Sequence, residues 1–355
     1  MNGRDMISGR QFTLIIAIIT SQLSIFEMPE IILGFSKQYA WVSMCMAMSG
    51  DVLVAAVLFA LGRKYPGRTL FEYPQLILGR FTGKLFALCF ALFFLYTGAV
   101  ALRIFAEITS VFLLKRTPFL VLLLLVTITT AYYVYKGLPV MVRVGELVAP
   151  VIFVTILGVL LLVSPKISLA RLVSVNWTWP GIFRGALLQT AIFGVCIVMG
   201  VFMAYHDRPG QSFRVKVRGI IASSVLITGL YLVSLGVLGE YAISQTPFST
   251  QSLARIVGSS VHPLILAVFV MGGGITISVF HYAAALGLAQ TAGLSDYRWL
   301  VIPVGVIMLA VAYMFVDNVV ELKNHLAVVF PAVALPVEVG MTSFLLAAAW
   351  FKKQS

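Results

Sequence analysis

Charged residues are scarce in this 355-residue chain: Asp, Glu, Lys and Arg make up 11% of it, while 60% of the residues are hydrophobic. Soluble domains carry about 25% charged residues. There are three cysteines, all within apolar runs and at no metal-binding spacing, so neither a disulfide framework nor a zinc site is predicted. The sequence also lacks nucleophile motifs and phosphate-binding loops, and we therefore expect no enzyme, no metal and no cofactor.

Long apolar runs fill the chain, and the connections between them are too short to fold independently. Most runs reach the roughly 20 residues that an α-helix needs to cross the hydrocarbon core of a bilayer. The sequence therefore predicts an all-α integral membrane protein, a single polytopic domain over residues 1–355 with ten transmembrane helices. The runs are Phe12–Phe35, Trp41–Leu61, Leu85–Leu114, Phe119–Tyr135, Gly145–Val163, Ile182–Tyr205, Gly219–Ile243, Pro263–Gln290, Trp299–Phe315 and Leu326–Phe351.

Ten helices divide into two halves of five, over residues 12–163 and 182–351. An odd number of helices per half makes the second half enter the membrane in the opposite direction, as in the inverted repeats of many secondary transporters. Because such repeats place the ligand site at the first helix of each half, we expect a broken first helix in each half.

The net charge of +12 has an uneven distribution across the predicted membrane. With the N-terminus inside, 16 basic residues fall on the cytoplasmic side, Lys216 among them, and 8 fall outside; Arg103, within a helix, completes the 25. The positive-inside rule therefore predicts that both termini are cytoplasmic. We expect the excess basic residues to contact the anionic headgroups of a lipid bilayer. No nucleic acid is expected as a partner.

Pro29 interrupts the first apolar run shortly after the polar segment Thr20–Ser24. Proline lacks the backbone N–H that would bond to the carbonyl of Ile25, which leaves either a simple kink or an unwound segment that binds a ligand. Glycines in the sixth helix are typical of close packing or of a second break. We predict a small amphipathic ligand between a break at Gln22–Ile25 and the sixth helix, in contact with Gln22, Ser24, Ile25, Tyr96, Val100, Phe193, Gly194, Val195, Gly274 and Thr276.

Several ionisable residues lie inside the predicted helices, where charge is costly. Arg103 and Glu107 share one helix face at i,i+4, and Glu27 reaches a similar depth, so either carboxylate is a candidate partner for Arg103. Asp51 and Glu338 fall near mid-membrane. Each is either part of a proton or ion route or a protonated, hydrogen-bonded core acid.

A series of short motifs runs through roughly the first 150 residues, in an order and spacing that resemble the spore germination permease family. These proteins are the B subunits of bacterial nutrient-germinant receptors, within the amino acid–polyamine–organocation superfamily. The chain departs from the family in having Gln22-Leu23-Ser24 where a glycine usually precedes the first-helix proline. It departs from related transporters in lacking the acidic residue that often follows the glycine of the sixth helix. The motifs are Ile7-Ser8 with Gln11, Ala40-Trp41-Val42-Ser43, Tyr65-Pro66-Gly67-Arg68-Thr69-Leu70 with Glu72-Tyr73, Ile77-Leu78-Gly79-Arg80 with Gly83-Lys84, Leu102-Arg103 with Phe105 and Glu107, Thr117-Pro118, Ala131-Tyr132-Tyr133-Val134, and Gly137-Leu138-Pro139 with Arg143 and Glu146.

The resemblance implies a five-plus-five inverted-repeat fold, a small germinant such as an amino acid, A-type and C-type receptor subunits as partners, and residence in the inner membrane of a spore. Three functions stay open. The first is a receptor subunit that triggers germination, and the second is a proton-coupled amino acid transporter using Asp51 or Glu338. The third is an assembly scaffold that binds no ligand.

Overall fold

The computed structural model describes residues 6–26, 29–173, 178–245, 248–258 and 261–352. Within these ranges the chain is helical and contains no β-strand. The α-helices are α1 (Gly9–Phe26), α2 (Pro29–Ser36), α3 (Ala40–Lys64), α4 (Tyr73–Leu78), α5 (Arg80–Phe112), α6 (Phe119–Lys136), α7 (Leu138–Val163), α8 (Trp179–Gly194), α9 (Met199–Phe202), α10 (Ser212–Gln245), α11 (Ser249–Val257), α12 (Val261–Ala292), α13 (Arg298–Met314), α14 (Val319–Asn324), α15 (Phe330–Leu335) and α16 (Thr342–Phe351).

Eight helical runs of the described chain are long and apolar enough to cross a membrane. The 18-residue α1 and the shorter apolar helix α13 bring the number to about ten. The predicted all-α membrane class is therefore confirmed. The eight runs are Pro29–Lys64, Arg80–Phe112, Phe119–Lys136, Leu138–Lys166, Trp179–Tyr205, Pro209–Gln245, His262–Ala292 and Val319–Phe351.

Helix α1 is regular through Phe26, and α2 begins at Pro29. The predicted break at Gln22–Ile25 was wrong, because those residues have their own N–H groups and are helical; only the donor of Pro29 is missing. Glu27 lies outside the described residues.

The sixth membrane helix is interrupted at its glycine. Helix α8 ends at Gly194, a 3₁₀ segment follows over Val195–Val198, and α9 begins at Met199. In the most apolar part of this helix 89% of the residues are buried, against 22% for α6. The sixth helix therefore runs through the centre of the bundle, while α6 lies at its periphery.

The tenth membrane helix contains two π-helical segments, His325–Val329 and Pro336–Met341. Pro331 follows the first segment, and Pro336 begins the second. Each proline removes one helical donor, which favours a local change in the hydrogen-bonding register. The second segment turns the side chain of Glu338 into the protein interior, where it is fully buried.

Candidate functional site

At the C-terminal end of α1, side chains from other helices bond to backbone carbonyls. Pro29 has no N–H to offer the carbonyl of Ile25, and the Thr250 hydroxyl of α11 donates to that oxygen across 2.6 Å. The Tyr231 hydroxyl of α10 lies 3.2 Å from the carbonyl oxygen of Ser24. Two helices from the second half of the chain therefore bond to the end of α1.

A buried polar network surrounds Ser24. Gln189 of α8 donates through Nε2 to Ser24 Oγ across 2.9 Å, and the Tyr231 hydroxyl lies 3.2 Å from Gln189 Oε1. All three side chains are buried. Because hydroxyl and amide groups both donate and accept, this network is able to exchange its internal bonds for bonds to a small polar ligand.

Gln22 lies on the other side of α1, against α12. Its side-chain amide fills the space beside Gly272, where an added Cβ atom would collide with it. The amide is buried, and neither its oxygen nor its nitrogen has a hydrogen-bond partner among the described residues. A buried amide that makes no bonds within the protein is costly, and a bound ligand or a water would satisfy it.

The space beside the end of α1 is small. A void of about 20 Å³ adjoins Ile25 and is bounded by Thr155, Ile156, Val159 and Thr250. That volume holds about one water molecule. An amino acid at this position would therefore have to displace the Thr250 and Tyr231 hydroxyls from the carbonyls they occupy.

The other residues predicted to line the site lie around the first and sixth helices in different settings. Phe193, Val195 and Val100 are buried in the apolar core. The Tyr96 hydroxyl bonds to His325 Nε2 at 2.6 Å, which ties α5 to the tenth membrane helix.

Two further predicted residues lie on α12. Gly274 lines a groove of about 430 Å³ between α5, α6 and α12, together with Phe105, Leu122 and Val270. The Thr276 hydroxyl is buried and donates to the carbonyl of Gly272, one turn earlier in the same helix. The structure thus joins Ser24 and Ile25 directly to groups of the second half and Gln22 to Gly272, whereas Gly274 lines the groove beside α5 and α6 and the Thr276 hydroxyl bonds within α12.

Several residues at the end of α1 were not among those predicted to bind the ligand: Gln189, Tyr231 and Thr250. Each carries a polar group within or beside an apolar run, which is the only signal the sequence offers. Such a signal marks a buried polar group without revealing which helix it faces. The packing of the helices decides that these three side chains face the end of α1.

The ionisable residues inside the bundle form two groups. In the first, Arg103 Nη2 lies 2.6 Å from Glu107 Oε1, and the Arg103 guanidinium also donates to the carbonyl of Ala312 and lies over the ring of Phe119. In the second, Lys216 Nζ bonds to Asp51 Oδ1, with Glu338 nearby. Within the described residues there is no group of three or more His, Cys, Asp or Glu side chains that would hold a metal ion.

One end of the bundle, here called the N-terminal face, joins the first helices of the two halves. The Ile7 N–H donates to the carbonyl of Tyr205 across 2.8 Å, and the Asp207 N–H donates to the carbonyl of Ile7 across 3.0 Å. His206 lies between them, buried, with Nδ1 2.6 Å from Ser212 Oγ. Burial lowers the pKa of the His206 imidazole, and the neighbouring Asp207 carboxylate opposes that effect.

At the opposite face a carboxylate joins three elements. Glu30 of α2 accepts the backbone N–H of Ser249, at the start of α11, and lies 3.9 Å from Lys323 Nζ of α14. Glu30 also lines a cavity of about 420 Å³ with Leu33 and Glu240. These contacts hold α11 in place, and α11 in turn carries the Thr250 hydroxyl that bonds to the carbonyl of Ile25.

The sequence matches a known family over most of its length. The family described as "Spore germination protein" matches residues 6–320. Among curated relatives from Bacillus subtilis (strain 168), Spore germination protein KB is 26% identical over 98% of this chain and 96% of its own length. Spore germination protein YndE is 23% identical over 70% of this chain and 71% of its own length.

Solved transporter structures share the fold. MhsT in complex with L-phenylalanine superposes with a TM-score of 0.64 and 13% identity, over 95% of this chain and 87% of that chain. A substrate-bound, outward-open Na⁺-coupled sialic acid symporter superposes with a TM-score of 0.63 and 13% identity, over 98% of this chain and 79% of that chain. At these identities the likeness concerns the fold alone, and it confirms the predicted inverted-repeat transporter architecture.

Proposed function

This chain belongs to the spore germination permease family, and we propose that it is the membrane subunit of a nutrient-germinant receptor that binds a small amphipathic germinant, such as an amino acid, and triggers germination. The observation that carries the proposal lies at the end of α1, beside Pro29. There, Thr250 and Tyr231 occupy two backbone carbonyls that a ligand ammonium group would otherwise bind. The solved MhsT structure, with the same fold, holds L-phenylalanine.

In this proposal the germinant binds between the end of α1 and Gln189 of α8. Its ammonium group binds the carbonyls of Ser24 and Ile25, and its carboxylate accepts a hydrogen bond from the amide of Gln189. The Thr250 and Tyr231 hydroxyls are then released, which frees α11 and α10 to move relative to α1. That movement is the signal passed to A-type and C-type receptor subunits, because the family comprises proteins of spore germination.

The proposed location is the inner membrane of the spore, with both termini in the cytoplasm. The basic residues concentrated at the N-terminal face support this orientation. Transport of the germinant is the second candidate function, since the structural neighbours are transporters. Uptake of an amino acid into liposomes that contain this chain alone would favour transport over sensing.

The test of the proposed site compares two serine-to-leucine variants in spores. Ser24→Leu removes the Gln189 partner and fills the space of the ligand, so it should abolish the germination response to amino acids. Ser49→Leu makes the same change at an exposed position of α3 and should leave the response unaltered. Immunoblots of membranes control for protein level. A wild-type concentration response from Ser24→Leu would place the germinant elsewhere, on a partner subunit.

A further inference from the structure

A buried ion pair joins α3 to α10. Lys216 Nζ donates to Asp51 Oδ1 across 2.9 Å, and both side chains are fully buried. The second carboxylate oxygen of Asp51 is also buried and has no hydrogen-bond partner among the described residues. A single ammonium group therefore faces a carboxylate that is only half satisfied by the protein.

Glu338 brings a second carboxyl group to this place. Its side chain is fully buried, and neither carboxyl oxygen has a hydrogen-bond partner within the part of the chain that the structure describes. The carboxyl group packs directly against Gly194, where a Cβ atom would collide with it. Glycine at 194 is thus what allows this acid to reach the interruption of the sixth helix.

The surroundings of Glu338 contain few ionisable groups. Asp51 of α3 and Lys216 of α10 interact with it electrostatically, and the Cys196 thiol of the sixth helix lies near all three. Helix α5 also packs against the segment that carries Glu338, but none of its described ionisable groups acts on this acid. Two carboxyl groups therefore share one ammonium group.

The excess of carboxyl groups over ammonium groups determines the charge of the cluster. With both acids ionised, the cluster would carry one uncompensated negative charge in the membrane interior, which is costly. A metal cation would need several oxygen ligands, and the Lys216 ammonium already occupies the cation position beside Asp51. One proton removes the charge at no cost in volume, and Glu338 is the group to which none of the described residues donates a hydrogen bond.

We propose that Asp51, Lys216 and Glu338 form a proton-binding site in which Glu338 carries one proton while the bundle is closed. Release of that proton as H⁺ leaves a carboxylate that needs hydrogen bonds from water. Deprotonation therefore requires Glu338 to move away from Gly194. The site is therefore coupled to the packing of the sixth helix at its interruption. The proposal does not depend on the identity of any germinant.

The test is infrared spectroscopy of the full-length protein in liposomes at neutral pH. We expect a carbonyl-stretching band of a protonated carboxylic acid that is lost both in Glu338→Gln and in Asp51→Asn, because in each variant a single carboxyl group remains to pair with the Lys216 ammonium. Glu30→Gln is the matched control because Glu30 is the other strongly buried glutamate near a lysine, Lys323, and this variant should retain the band. Absence of the band from the wild type, its persistence in Glu338→Gln, or its loss in Glu30→Gln would overturn the proposal.

Two further measurements keep the test decisive if Glu338→Gln fails to fold. In the wild type, ¹³C labelling of glutamate carboxyl groups should shift the band, whereas labelling of aspartate should not; the reverse result contradicts the assignment to Glu338. Gly194→Ala should shift or remove the band because its Cβ atom displaces the carboxyl group. Gly340→Ala, where an added Cβ atom meets nothing within 4 Å, should leave it unchanged. Identical spectra from both glycine variants would refute the coupling to the sixth helix.

Discussion

Lys216 and Asp51, 165 positions apart in the chain, form an ion pair of 2.9 Å in which both side chains are fully buried. The sequence assigned Lys216 to a cytoplasmic segment, and that assignment was wrong. Helix α10 begins at Ser212, and its second turn is already covered by the first half of the chain. Removing Lys216 from the cytoplasmic group leaves 15 basic residues against 8, so the predicted orientation is unaffected.

Lys216→Met should sharply reduce the amount of protein in the membrane. Breaking a buried ion pair costs about 3–5 kcal/mol because the remaining charge has no partner. The double variant Asp51→Asn/Lys216→Met removes both charges and should restore most of the protein, as measured by immunoblot of membrane fractions. A double variant that accumulates no better than Lys216→Met would show that the loss arises from packing and not from charge.

Arg103→Ala should also reduce the amount of protein in the membrane. Arg103 holds Glu107 at 2.6 Å and donates to the carbonyl of Ala312, so its removal strands a buried carboxylate at a cost of about 3–5 kcal/mol. The control is Lys37→Ala, which breaks the half-exposed pair with Glu240 and should cost at most about 1 kcal/mol. Normal accumulation and activity of Arg103→Ala would mean that the pair is peripheral.

The orientation of the chain is testable by cysteine labelling in a background without Cys45, Cys89 and Cys196. Lys37→Cys should react with an impermeant maleimide from outside intact cells. Arg214→Cys, exposed near the start of α10, should react only after permeabilisation. These sites lie at opposite ends of the bundle, so the reversed labelling pattern would mean that the termini are outside.

The folded protein should become less stable at acid pH because of His206, at the N-terminal face. Burial lowers the pKa of this imidazole in the folded protein, so the unfolded chain binds more protons and stability falls as pH decreases. The contribution of His206 is complete above the ordinary histidine pKa of about 6.5 and is lost as pH falls through the lower folded-state value. Thermal unfolding in detergent should therefore depend less on pH below about 6.5 for His206→Asn than for the wild type. Parallel pH profiles would contradict this role.

The sequence by itself determined the class of the protein, because a bilayer imposes one requirement on every residue of a span. Backbone groups must form their hydrogen bonds within the helix, and side chains must be apolar. Runs such as Phe119–Tyr135 therefore predict membrane helices without any tertiary information. Pro29 likewise indicated an unsatisfied carbonyl at Ile25, since the missing donor is a covalent property of proline. The structure confirmed that another group, the Thr250 hydroxyl, bonds to this carbonyl, but Gln22–Ile25 are helical and not unwound.

Tertiary structure alone decided which polar groups meet. Thr250 reaches Ile25, Lys216 reaches Asp51, and Glu338 reaches Gly194 only because helices distant in sequence pack side by side. Hydrophobic periodicity specifies that a helix has a buried face, but it does not specify the neighbour of that face, because lipid and protein interior are almost equally apolar. The partner of each buried polar residue is therefore a property of the packed bundle and not of any single run.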